Sequence, residues 1–110
     1  MIEQERFAEG IRQAGKLVSE AEIYLAQCEA EEKKLIAQHM VMGEAKGMKS
    51  INAQNRYADE SDVVFQARLN KGKAKGNLAA AKAELMAQEV AFNTWRTKMA
   101  TTRVERSIYK

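Results

Sequence analysis

Basic side chains and one tyrosine are the residues of this 110-residue sequence best equipped to do chemistry. Lys46, Lys49 and Arg56 stand close to Tyr57, with the amides Asn52, Gln54 and Asn55 between them. Arg68, Lys71, Lys73 and Lys75 follow, and then Arg96, Lys98, Arg103 and Arg106. Ammonium and guanidinium groups neutralise phosphates, and an aromatic ring offers a base a face to stack on. A protein that binds single-stranded nucleic acid combines those two ingredients. The pattern points to Lys46, Lys49, Arg56, Tyr57, Arg68, Lys71, Lys73 and Lys75 as candidate nucleic-acid contacts. The plainer interpretation is a solvated loop, with Phe92, Trp95 and Met99 spaced along a helix as core.

Other chemistry has little to work with. Cys28 is the one cysteine and His39 the one histidine. Eleven residues apart on a helix, they lie about 16 Å from each other, too far for a nucleophile and its base. A metal site would need Glu29 or Glu32 beside His39, with further ligands from other subunits. Glu29, Glu31 and Glu32 precede Lys33 and Lys34, which reads as an exposed face of ion pairs with Glu29 opposite Lys33. Gly43-Glu-Ala-Lys-Gly47 and Gly72-Lys-Ala-Lys-Gly76 have the composition of a phosphate loop. Both lack its four-residue gap, its Lys-Ser/Thr ending and the preceding strand. No catalytic residue, metal site or cofactor is expected, and the chain is not expected to be an enzyme.

The elements that must position these residues are helices. The sequence has no proline, six glycines and 6% aromatic residues, and Ala, Glu, Lys, Gln, Met and Leu dominate it. A sheet protein would need frequent turn residues and more β-branched side chains. Phe7, Ile11, Ala14, Val18, Ala21, Leu25, Cys28, Glu32, Leu35, His39 and Met42 alternate four and three residues apart. That is the a/d seam of a helix packed on other helices over about 3–45, on the order of 65 Å long. Leu17, Tyr24 and Ile36 flank and widen it. Gly43 and Gly47 weaken the pattern, Gly47 being suited to a left-handed helix end, and Ser50, Asn52 and Asn55 compete for backbone hydrogen bonds. A connector is therefore expected over about 46–60, with Asp59 or Ser61 capping the next helix.

That second helix is expected over about 61–108. Its seam is Val64, Ala67, Lys71, Ala74, Leu78, Ala81, Leu85, Gln88, Phe92, Trp95, Met99, Thr102 and Arg106. Gly72 and Gly76 cost about 1 kcal/mol each relative to alanine, so 70–77 is its weakest stretch. Either the helix breaks there, giving three helices, or it continues and the two glycines let something approach; continuity is the favoured reading. The expected fold is all-α: one domain over 1–110, an antiparallel hairpin of two long helices with coiled-coil packing. Two such helices leave apolar stripes uncovered, so a homo-oligomer is expected.

Charge divides unevenly along the chain. The net charge is +3, yet residues 1–45 hold five Lys or Arg against nine Asp or Glu, and residues 46–110 hold thirteen against six. A basic second half favours a polyanionic partner, although two packed helices of opposite sign could also satisfy each other. The polar start (Glu3, Gln4, Glu5, Arg6) and the absence of a long apolar run lead us to expect no secretory leader and no membrane partner. The expected location is the cytoplasm, or the host cytoplasm if a phage encodes the chain.

From about residue 50 onward, Ser50-Ile51-Asn52-Ala53-Gln54, Tyr57-Ala58-Asp59, Ala79-Ala80-Ala81-Lys82-Ala83, Trp95-Arg96-Thr97 and Ala100-Thr101 follow in order. In this series the chain resembles small helical proteins of phage recombination and replication gene clusters, and is similar in outline to UvsY-type recombination mediators. The resemblance covers about the last 60 residues. It implies a protein that binds single-stranded DNA and assembles with itself, as those ring-forming proteins do. It also implies a role in loading a phage recombinase onto strands coated by single-strand-binding protein. The rival expectation is a structural or scaffolding helical protein, such as a virion assembly factor or a protein-binding adaptor.

Overall fold

The computed structural model describes residues 2–109 and is all-helical. Among the described residues the elements are α1 (Glu3–Ala45), α2 (Ile51–Asp59) and α3 (Asp62–Tyr109). No helix of the described residues is long and apolar enough to cross a membrane. The α3 helix passes through Gly72 and Gly76 without a break. A Cβ at either glycine would meet nothing within 4 Å, so among the described residues no group packs into the room they leave.

The connector differs from expectation. Nine of its residues form α2, because Ser50 caps a helix rather than disrupting one: its Oγ accepts a hydrogen bond from Ala53 N at 3.1 Å. Gln54 steadies the entry by donating from Nε2 to the Met48 carbonyl, 3.0 Å away. Only 46–50 and the pair Glu60 and Ser61 remain non-helical between the long helices.

The end of α1 follows the sequence reading. Gly47 takes φ +101°, Met48 N donates to the Gly43 carbonyl and Gly47 N to that of Glu44, both at 3.0 Å. This pair of bonds is a Schellman closure, which satisfies carbonyls that the helix end would leave bare. Gly43 has a different role. A Cβ there would sit 3.1–3.2 Å from the Tyr57 ring, so the glycine admits Tyr57 against the α1 backbone.

The chain divides into two compact units. One comprises Met1–Ser19 with Ala79–Lys110, the other Glu20–Leu78. In the first, Phe7 meets Phe92 and Trp95 with ring centroids 5.7 and 5.5 Å apart, and Gly10 abuts the side chain of Gln88. Ala14 is its buried residue. On the outer face, hydrogen bonds from Arg12 and then Gln13 lower the pKa of the Glu9 carboxyl to about 2. In the second unit Cys28, Ala58, Val64, Ala67 and Ala74 are buried, and Gly43 with them.

Burial follows the two expected seams. Every seam position is buried or half-buried except Met42, Met99 and Arg106, which are exposed. The fully buried residues are small, because two helix backbones that approach closely have room between them for little more than alanine. The larger seam residues lie at the margins and stay partly wet.

Gly47→Ala should lower the unfolding free energy by about 1 kcal/mol, since a Cβ strains the left-handed conformation. Gly15→Ala, where a Cβ meets nothing within 4 Å, should instead raise it by up to about 1 kcal/mol. Urea denaturation followed by circular dichroism at 222 nm checks both signs.

Candidate nucleic-acid interface

Four of the eight residues singled out in the sequence lie on the α1–α2 turn and on α2, and two of them, Lys46 and Tyr57, are in contact. Lys46 is the first residue past α1, and its Nζ lies 5.1 Å from the centroid of the Tyr57 ring, a cation–π contact. Lys49 precedes the Ser50 cap, and Arg56 is in the last turn of α2. Both are exposed and lack a carboxylate within ion-pair distance among the described residues. Tyr57 is only half-exposed, because part of its ring rests on Gly43. What remains accessible is a partial aromatic surface edged by cations. Glu44, in the last turn of α1, and Glu60, at the C-terminal end of α2, are exposed and carry charge opposite to these cations.

The other four are placed on α3 and do not join that cluster. Arg68 donates from Nη2 to Asp59 Oδ1 at 2.6 Å. This exposed pair is worth little in water, so a phosphate can displace the carboxylate at small cost. Lys73 and Lys75 are exposed; at 100° per residue Lys75 lies beside the buried seam and Lys73 nearly opposite it.

Lys71 is committed elsewhere. Its ammonium straddles the Glu32 carboxylate, 2.9 Å from Oε1 and 2.7 Å from Oε2. The Oε1 contact is the well-directed hydrogen bond; Oε2 gains charge attraction without good alignment. Their side chains are 28% and 13% exposed, so the pair lies within the α1–α3 seam of this unit. Glu32 therefore leaves the exposed acidic face read from Glu29, Glu31, Lys33 and Lys34. Glu29 and Lys33 make no ion pair within 4 Å among the described residues.

Arg96 and Arg103, basic residues that the sequence reading named but left out of the candidate contacts, belong to a second basic cluster. In the other unit, Gln4, Phe92, Trp95, Arg96, Met99 and Arg103 border a groove of about 790 Å³. Phe92 and Trp95 stack at 18° with centroids 6.1 Å apart, and the Arg96 guanidinium carbon lies 5.6 Å from the Phe92 centroid. The signal was available: Arg96 and Arg103 are seven residues apart, so both follow one edge of the Phe92–Trp95–Met99 face. Trp95 is a core residue here, packed on Phe7 and Phe92, with one side left to the groove.

Cys28 and His39 occupy structural positions. The thiol is buried, and its proximity to Tyr24, one helical turn back, raises the phenol's pKa. His39 Nδ1 lies 2.8 Å from the Leu35 carbonyl one helical turn back, which makes Nδ1 the donor of that bond. No group of three or more His, Cys, Asp or Glu among the described residues is arranged to hold a metal ion.

Lys71→Ala strands the Glu32 carboxylate in the seam and should cost about 2 kcal/mol of stability. Replacing both partners with apolar residues, Lys71→Met with Glu32→Leu, should recover most of that loss. Thermal unfolding of the single and double variants checks the order. Compared with models of known protein families, with curated proteins and with solved structures, the chain matches none.

Proposed function

We propose that this chain is a non-enzymatic helical accessory protein that binds single-stranded DNA and acts as a homo-oligomer of antiparallel helical hairpins with coiled-coil seams. Its role would be that of a UvsY-like mediator in phage DNA recombination or replication, helping a recombinase onto strands held by single-strand-binding protein. The observation that carries the binding claim is the Lys46 ammonium over the Tyr57 ring, with Lys49 and Arg56 exposed on the adjoining turn and helix. None of the three cations is within ion-pair distance of a carboxylate among the described residues. Cations contribute counterion release along a phosphate backbone, and the exposed part of the ring contributes stacking. The groove edged by Arg96 and Arg103 supplies a second set of the same groups. The recombination role rests on the ordered motifs from Ser50 to Thr101.

A scaffolding role is the second reading, and a specific observation favours it. Residues 20–78 contain nine basic and nine acidic side chains, and Arg68 and Lys71 spend theirs on Asp59 and Glu32. In that reading the cations only complement acidic neighbours, and the exposed apolar residues do the binding.

Fluorescence anisotropy of labelled oligo-dT separates the two. The first reading expects saturable binding whose affinity falls steeply with salt. Lys46→Ala, Lys49→Ala and Arg56→Ala together should weaken binding at least tenfold at low salt and flatten the salt slope by two to three units, roughly one per lost phosphate contact. An unchanged slope with unchanged affinity assigns the contact elsewhere. Absence of binding at low salt favours the scaffold.

A further inference from the structure

Two chemistries meet in the groove bordered by Gln4, Phe92, Trp95, Arg96, Met99 and Arg103. One is aromatic. Trp95 stacks on Phe92 and is half-buried, so part of the indole is left to the groove. The other is cationic. Arg96 and Arg103 are exposed, and neither has a carboxylate within ion-pair distance among the described residues. Seven residues set them about 10 Å apart along the helix axis. The Arg96 guanidinium carbon, 5.6 Å from the Phe92 centroid, is held beside the aromatic pair by a cation–π contact.

The surroundings leave both chemistries unspent. No Asp or Glu occurs between Glu89 and Glu105, an interval that contains Arg96, Lys98 and Arg103. Glu3 and Glu5 stand beside Gln4 in the first turn of α1, yet among the described residues no carboxylate borders the groove. The side-chain amides of Gln4 and Asn93 do border it, and they carry the donors and acceptors that a base edge can meet. Its volume of about 790 Å³ falls within the roughly 300–1,000 Å³ of small-molecule sites, enough for one nucleotide.

This combination narrows the occupant. An acidic peptide would engage the two guanidiniums and leave the indole wet. An apolar helix would cover the indole and press against two guanidiniums that have no carboxylate. A single strand of nucleic acid brings both complements on one chain, a flat base with a phosphate on either side. We infer that this groove is a base-binding subsite for single-stranded nucleic acid: an unstacked base rests against the Trp95 indole, and its flanking phosphates go to Arg96 and Arg103. This rests on the reading of the chain as a single-strand binder. It adds a base contact in the unit that does not contain the Tyr57 turn.

Emission from Trp95 reports on the subsite directly, because the sequence has one tryptophan. Oligo-dT titrated into the full chain at low salt should lower that emission by roughly half, since a stacked base quenches an indole. The loss should follow the same saturation curve as the anisotropy of a labelled strand. Inorganic polyphosphate, which has the charge without the bases, should displace the strand and restore the emission. Arg96→Ala with Arg103→Ala should weaken strand binding about tenfold and take roughly one to two units off the salt slope. Circular dichroism at 222 nm should not change in that variant, because both side chains are exposed. Strand binding with unaltered Trp95 emission overturns the subsite and leaves the single-strand reading standing. Absence of strand binding at low salt overturns both. Equal quenching by polyglutamate overturns the base contact and assigns the groove to an acidic protein. An unchanged salt slope in the double variant overturns the phosphate contacts.

Discussion

Close approach between α1 and α3 within each unit is the constraint on which the rest of this chain depends. Alanine at positions 14, 67 and 74, with Cys28 and Val64, lets the backbones come near enough for the larger seam residues to close over the margins. The same closeness explains why Glu32 and Lys71 had to find each other. A carboxylate in a gap sized for alanine has little water to turn to, and an ammonium opposite it serves as its hydrogen-bond donor. It also sets a limit. A seam this narrow covers little surface, and Leu17, Ile23, Val41, Phe65, Met86, Val90 and Ile108 stay largely exposed.

That uncovered apolar surface connects fold to function. A helix that satisfies one partner along one line has most of its circumference left for others. In α3 the exposed surface includes Met86 and Val90, and the cations Arg96 and Arg103 lie along the edge of the Phe92–Trp95 face. The turn after α1 is built on a different plan, with Gly43 admitting Tyr57 and the Schellman closure at Gly47 delivering Lys46 to the ring.

Much of this was legible in the sequence, because helical burial obeys spacing. The a/d lines of α1 and α3 read out residues that the structure buries or half-buries, from Phe7 to His39 and from Val64 to Trp95. Gly47 announced its left-handed turn. The features that escaped need two residues considered together. Ser50 was a helix disruptor until Ala53 N supplied its partner, and so α2 was read as connector. Gly43 was only a weak helix former until Tyr57 filled the space a Cβ would take. Glu32 and Lys71 were separate polar interruptions of two seams, although opposite interruptions in packed helices are the ones that pair. The candidate site was partly legible: residue type found the Tyr57 cluster, while partners fixed by the fold withdrew Lys71 and occupied Arg68.

The central claim is that the folded chain completes its core by joining another copy. The concentration dependence of thermal unfolding measures this most directly, since a species that binds only the folded form raises Tm by mass action. Unfolding followed at 222 nm over a hundredfold range of protein concentration should show Tm rising as the concentration rises. A Tm that stays constant across that range would contradict the account, leaving a chain that is stable alone and an exposed surface that serves some other partner.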